Sequence, residues 1–250
     1  MSQIERVTET SSLTGLLEVE GLQEVAKKLS SFVSSALQLY PHWLKPSSVE
    51  DVVVERYDHV GSIIARNLFQ QPLAELVHRE SKLDDFMLAS EDVDADPRNN
   101  YKYVVLGLAD ETQYINGRNL DFISDTHPVS YGLARIYRDA GNLAPYMTLN
   151  MYGDPVSKKT EGETNPHKDN SPVALLLGTG DGFTRIRHSG CTKQDYEVIG
   201  PDHSTDLEVG PYDVLGLHGG SHDHQGFGRA TSVHTMRRTV LLSSRRQIDQ

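Results

Sequence analysis

The stretch Asn165-Pro166-His167-Lys168-Asp169-Asn170-Ser171-Pro172-Val173-Ala174-Leu175-Leu176-Leu177 carries two signals at once. Its second half is a short apolar run between Pro172 and Gly178, the mark of a buried strand. Its first half places a histidine and an aspartate two residues apart. In extended backbone, residues i and i+2 point to one face, so His167 and Asp169 can reach one centre while Lys168 points away. One imidazole and one carboxylate on one face supply two of the three ligands of a 2-His-1-carboxylate facial triad.

Working outward, the texture after residue 100 repeats the pattern of the second half. Tyr103–Leu108, Met147–Tyr152, Val173–Leu177, Phe183–Arg187, Tyr196–Ile199, Asp213–Leu217 and Thr239–Ser243 are short, apolar or alternating, and separated by Gly, Pro, Asp and Asn. Such a series predicts an antiparallel sandwich or barrel. The N-terminal part reads differently. Residues 1–18 are polar and form a loose arm. From Val19 to Leu39, Leu22, Val25, Ala26, Leu29, Phe32, Val33, Ala36 and Leu37 share one helical face, and Pro41 ends it. A second helix is expected from Gly61 to Glu80, divided by Pro72, and a short one around Leu83–Leu88 within the acidic connection 81–100. The expectation is one α+β domain over 1–250: a mainly helical support region, 1–100, packed on a β-barrel core, 101–250. Residues 153–165 form a loop just before the His-x-Asp strand, the place for a lid.

The bulk properties narrow the partners. A net charge of −11 with no long basic cluster disfavours a phosphate backbone and favours a small-molecule substrate. Apolar runs fall short of a membrane span, and no basic-then-apolar leader opens the chain, so neither membrane nor secretion is expected. The single cysteine, Cys191, excludes an internal disulfide and multi-cysteine metal sites, and a reducing cytoplasmic setting is the expectation. Cys191 has no dedicated base nearby in sequence and is assigned no catalytic role.

The third ligand must come from the histidines downstream. The segment from Gly210 to Gly226 holds His218, His222 and His224 around glycines that let the backbone turn closely. His224 is preferred, and His222 and His218 are the alternatives. His188, His203 and His234 read as surface or supporting groups. Further on, Arg237 and Arg238 open a strand, and a guanidinium fork there suits a carboxylate at the far end of a pocket. Upstream, Asn150 and Tyr152 share one face of a strand and aim an amide and a phenol at one pocket. Arg185 and Arg187 alternate on another strand, and one of them is a weaker candidate for meeting a substrate carboxylate.

In this order, Asn-x-Tyr, His-x-Asp, His and Arg, the chain resembles the Fe(II)- and 2-oxoglutarate-dependent dioxygenases over roughly residues 145–245. Asn150-Met151-Tyr152 is similar to the Asn-x-Tyr of the alkylated-base demethylase branch. His167-Lys168-Asp169-Asn170-Ser171-Pro172-Val173 is similar to the corresponding stretch of free isoleucine hydroxylases. The resemblance implies a double-stranded β-helix (jelly-roll, cupin-like) core carrying N-terminal helices. It implies Fe(II) on His167, Asp169 and a distal histidine, with 2-oxoglutarate held by Arg237 or Arg238 together with Asn150 and Tyr152. Three open positions would remain on the ion, two for 2-oxoglutarate and one for O₂. The implied activity is oxidation of an unactivated C–H bond of a small polar metabolite, a free amino acid or related carboxylic acid, with succinate and CO₂ as co-products. Asp169 argues against halogenation, because halogenases of this superfamily replace the carboxylate ligand by a small residue. Hydroxylation, desaturation and cyclisation stay open. Two other readings keep the fold: an oxygenase of an alkylated base or protein side chain, and a non-enzymatic cupin-like metal-binding module.

Overall fold

The apolar run at 174–179 is a central strand, and it is apolar throughout because both of its faces are covered. Leu175 and Leu177 belong to the core under the helices, whereas Leu176 points the other way into a second core between the sheets. The computed structural model describes residues 10–82, 85–88, 101–108, 118–142, 145–169, 171–188 and 203–244. In chain order these hold β1 (Thr10–Ser12), α1 (Gln23–Leu39), β2 (Val53–Tyr57), β3 (Ser62–Ala65), α2 (Leu73–Glu80), β4 (Met87–Leu88), β5 (Tyr101–Gly107), β6 (Arg118–Asn119), α3 (Leu120–Ile123) and α4 (Pro128–Asp139). They continue with β7 (Pro145–Tyr152), β8 (Glu161–Glu163), β9 (Ala174–Thr179), β10 (Gly182–Arg187), β11 (Ser204–Leu207), β12 (Val214–Leu217), β13 (His224–Arg229) and β14 (Arg238–Ser244).

Two sheets form. The large one runs β1-β2-β3-β12-β9-β14-β7-β5-β4 with β6 beside β5, and the small one runs β11-β10-β13-β8. From β7 onward the chain passes back and forth between them: β7 large, β8 small, β9 large, β10 and β11 small, β12 large, β13 small, β14 large. That winding is a double-stranded β-helix, the jelly roll within an α+β domain. Helices α1, α2 and α4 cover the outer face of the large sheet. Val60, Ile64, Leu176, Ile186, Leu207, Leu215 and Leu217 pack together between the sheets.

Helix α1 follows its periodicity. Val25, Ala26, Leu29, Phe32, Val33 and Ala36 are buried, and Pro41 follows directly on its C-cap, Tyr40. Full burial of each large apolar side chain is worth roughly 1.5–3 kcal/mol. Phe32, edge-on to Phe69 with ring centroids 6.5 Å apart, is the residue whose loss would hurt most, roughly 3–5 kcal/mol for Phe32→Ala.

The mainly helical reading of residues 1–100 needs correction. Only the part of the expected Gly61–Glu80 helix after Pro72 is helical. Ser62–Ala65 is instead β3, bonded between β2 and β12 and buried along its length. Ile63 and Ile64 face opposite cores, a two-sided burial that mimics a helical stripe over a few residues. The β-branched run Val52-Val53-Val54 leads into β2, and the 87–88 segment expected to be helical is β4. α4, with Pro128 in its first turn, was not expected either. The expected strand Tyr196–Ile199, the acidic run 91–96 and Cys191 lie outside the described residues.

Candidate metal centre and the cavity behind it

His167 and His224 meet through their backbones. The N–H of each donates to the C=O of the other, at 3.0 and 2.9 Å, an isolated antiparallel bridge that sets their rings 4.4 Å apart. His224 opens β13 in the small sheet, while His167 lies just beyond β8. Asp169 is fixed by its own N–H, which donates to the C=O of Gly219 at 3.0 Å, in the turn after β12. One ligand atom from each of His167, Asp169 and His224 then lies within 4.8 Å of the others.

The hydrogen bonds leave the right atoms free. His167 Nδ1 lies 2.7 Å from the C=O of Asn165, and His224 Nδ1 lies 3.2 Å from that of His222. A carbonyl accepts only, so each Nδ1 carries the proton and each Nε2 keeps its lone pair for a metal. These Nε2 atoms lie 3.9 and 3.6 Å from Asp169 Oδ1. Burial first, then the nearby His224, holds the His167 pKa below the ordinary imidazole value, so the ring is neutral at pH 7. For Asp169, burial pushes the pKa up, but the two imidazoles set against it, His224 ahead of His167, outweigh that and hold it down. Asp169 Oδ2 is buried without a hydrogen-bond partner. A deprotonated carboxylate with an orphaned oxygen beside two imidazole lone pairs fits a divalent ion of the Fe(II) type.

Behind this centre lies a cavity of about 310 Å³ between the sheets. Asn150 and Tyr152 both line it, as their i, i+2 spacing implied. Tyr152 requires glycine opposite: a Cβ on Gly226 would stand 2.2 Å from its Oη, and one on Gly228 2.6 Å from its Cβ. The two arginines separate by strand alternation. Arg237 precedes Thr239 and Leu241 on the inner side of β14. It is 3 % exposed, donates to the C=O of Phe183 and Phe227 and to Thr184 Oγ1, and lies over the Tyr152 ring with its guanidinium 4.8 Å from the centroid. Thr184 and Tyr152 line the cavity, so the Arg237 guanidinium sits one side chain behind its wall. Among the described residues no carboxylate pairs with it, and burial draws its pKa down. Arg238 faces the helices instead, where its charge reaches the buried His78 of α2.

Several expected roles do not match the placements. His222 turns its Nδ1 to the C=O of Arg187, and His218 Nε2 pairs with Glu24 at 3.2 Å, so neither joins the three ligands. Arg185 pairs with Asp206 on β11 and stacks over Phe183 and Phe227, and Arg187 pairs with Asp223 at 2.8 Å. Neither lines the cavity, which corrects their reading as substrate-carboxylate ligands. Residues 153–160 are pinned rather than lid-like. Asp154 and Lys159 exchange backbone hydrogen bonds, and the Asp154 carboxylate accepts from Ser157 and pairs with Lys102. Lys168 borders the cavity, but its charge acts on His222, which does not line it. Tyr101 and Tyr103, overlooked in the sequence, also line it. Their i, i+2 spacing was the available signal, but only the register of β5 with β7, which sets Tyr103 opposite Asn150 and Tyr101 opposite Tyr152, brings them to the site.

No protein-family model matches the chain, and no curated protein matches it. Among solved structures, it is similar to a prolyl-4-hydroxylase from Pseudomonas putida, at 12% identity over 70% of this chain and 86% of that one, with a TM-score of 0.39. It is also similar to a Trichoplax adhaerens prolyl hydroxylase in complex with a hypoxia inducible factor peptide fragment, at 11% identity over 90% and 92% of the two chains (TM-score 0.45). A third similar structure is OsALKBH1, at 11% identity over 76% and 99% (TM-score 0.46). At this level of likeness, function has to be read from the residues themselves. No described helix is long and apolar enough to cross a membrane.

Proposed function

We propose that the chain is a non-haem Fe(II)- and 2-oxoglutarate-dependent oxygenase that oxidises a C–H bond of a small polar metabolite, a free amino acid or related carboxylic acid. The observation that carries this is the convergence of two imidazole Nε2 atoms and a buried carboxylate within 4.8 Å, in the lining of a cavity. His167, Asp169 and His224 would hold the metal on one face and leave its cavity side open. Iron with 2-oxoglutarate supplies the oxidising chemistry when bound, and the protein's part is orientation and exclusion of water.

Arg237 supports the cosubstrate assignment over Arg238. A buried guanidinium without an anion is costly, and a carboxylate arriving beside Thr184 and Asn150 would offset that cost. It would exchange the neutral Thr184 partner for a charge-assisted, forked one. The modest cavity volume, near the lower end of the roughly 300–1,000 Å³ usual for ligand pockets, favours a small substrate over a nucleic acid or polypeptide, as does the net charge of −11.

Anaerobic addition of Fe(II) and 2-oxoglutarate should give a weak visible charge-transfer band, and air should then yield succinate. His224→Ala should remove the band, whereas His222→Ala and His218→Ala should keep it. Survival of the band in both His167→Ala and Asp169→Ala would refute the assignment.

A further inference from the structure

A second group of histidines gathers beside the core between the sheets, away from the first centre. His188 follows directly on β10 and His203 directly precedes β11. The antiparallel pairing of these strands runs one step past Arg187–Ser204, where the His188 N–H donates to the His203 C=O at 2.9 Å. Residues directly opposite each other stand on one face, with Cβ atoms about 4.5–5.5 Å apart. By alternation that face also carries Ile186, which packs between the sheets with Val60. Val60 ends the short turn Asp58–Val60 that joins β2 to β3 in the large sheet, and His59 precedes it. The His59 ring reaches His188, centroid to centroid at 5.1 Å.

That separation has a metric meaning. With Zn–N near 2.0–2.1 Å, an imidazole on zinc holds its ring centroid roughly 3.2 Å from the ion. Two such rings at a tetrahedral angle lie about 5.2 Å apart, and two at the right angle of an octahedral ion about 4.5 Å apart. His59 and His188, at 5.1 Å, match the first, whereas His167 and His224, at 4.4 Å, match the second. His188 Nε2 lies 2.9 Å from Thr205 Oγ1. A hydroxyl can accept that proton, and in this tautomer Nδ1 keeps its lone pair. Burial first, then the imidazoles of His59, His203 and His222, hold the His188 pKa below its ordinary value, so the ring is neutral at pH 7.

We infer that His59, His188 and His203 form a second divalent-metal site, a tetrahedral, zinc-type centre that staples the β2–β3 turn of the large sheet to β10 and β11 of the small one. An all-imidazole set suits zinc, whereas the carboxylate at the first centre suits a harder ion. At the first centre one atom from each of three residues already lies within 4.8 Å, and here side-chain rotation brings the third nitrogen in. His59 is exposed and His203 half-buried, which leaves their rings room to turn. Water would complete the four positions. The inference does not depend on the oxygenase reading.

The test titrates the full chain with Zn(II) and Co(II), reading bound metal by equilibrium dialysis and elemental analysis. The wild type should hold two zinc ions per chain, and a double variant carrying His167→Ala and Asp169→Ala should hold one. In that double variant Co(II) should give the intense visible absorption of tetrahedral coordination, and Zn(II) should raise the midpoint of thermal unfolding. Adding His59→Ala, His188→Ala or His203→Ala to it removes a direct ligand. Each should weaken the remaining ion by at least the roughly 10–100-fold that loss of an outer-shell partner costs. A single zinc ion on the wild type, or a second one held undiminished after His59→Ala and His188→Ala, would overturn the inference. So would the weak absorption of octahedral Co(II) in the double variant.

Discussion

Replacing Gly219 by alanine should silence the metal centre without altering any ligand. A Cβ at this position would stand 2.3 Å from Asp169 Oδ2, 3.0 Å from its Cγ and 3.1 Å from its Cβ. The backbone at Gly219 is not left-handed, so alanine brings no conformational strain of its own. The Asp169 N–H bond to the Gly219 C=O, 3.0 Å long, holds the two backbones together, so the carboxylate has to yield. Reaching ordinary contact at 3.4 Å takes a retreat of about 1 Å. A misplacement of that size at a reacting centre costs roughly 100-fold in rate, or about 3 kcal/mol of barrier. The assay is succinate formation from 2-oxoglutarate at saturating Fe(II), with thermal unfolding run alongside to show that the variant folds. Gly15→Ala serves as control, since its new Cβ meets only the Ser12 hydroxyl, at 3.1 Å. A folded Gly219→Ala protein with wild-type turnover and an unchanged Fe(II)–2-oxoglutarate band would show that the Asp169 carboxylate is not at the reacting centre.

Two further outcomes follow from buried cations and bases. Arg237→Lys keeps the charge but loses the fork, so the KM for 2-oxoglutarate should rise about tenfold while the thermal shift on adding metal persists. Arg238→Lys should leave that KM unchanged, and the opposite pattern in steady-state kinetics would reverse the assignment of the two arginines. His78, buried under α2 and donating through Nε2 to the Thr239 C=O at 3.0 Å, has its pKa lowered from 6.5 to about 4, with burial the main cause. In the native protein it stays neutral where the unfolded chain already binds a proton. Its contribution is therefore complete above pH 6.5 and is lost as pH falls toward 4, by about 3 kcal/mol. Urea unfolding at pH 7 and pH 4 should show a smaller difference for His78→Gln, which keeps an amide donor but does not titrate. Equal pH dependence in both proteins would dismiss this role.

The sequence by itself determined whatever depends on spacing along one element. The i, i+2 rule put His167 with Asp169 and Asn150 with Tyr152, and the 3.6-residue period set the buried face of α1. The unbroken Leu175-Leu176-Leu177 run marked a strand, and the structure shows both of its faces covered. Over a few residues, however, two-sided burial has no period of its own, which is why β3 read as helix. Tertiary structure decided every choice between neighbours of the same kind. His224 rather than His222 or His218 joins the cluster with His167 and Asp169 because a backbone bridge to His167 puts it there. Arg237 and Arg238 part company because strand alternation sends one toward the cavity and the other toward His78. Tyr101 and Tyr103 reach the site through their register with β7. The physical reason is the same in each case: a ligand set is made by atoms brought together across strands, and cross-strand register is fixed by burial and hydrogen bonding of the whole sheet, not by any segment read alone.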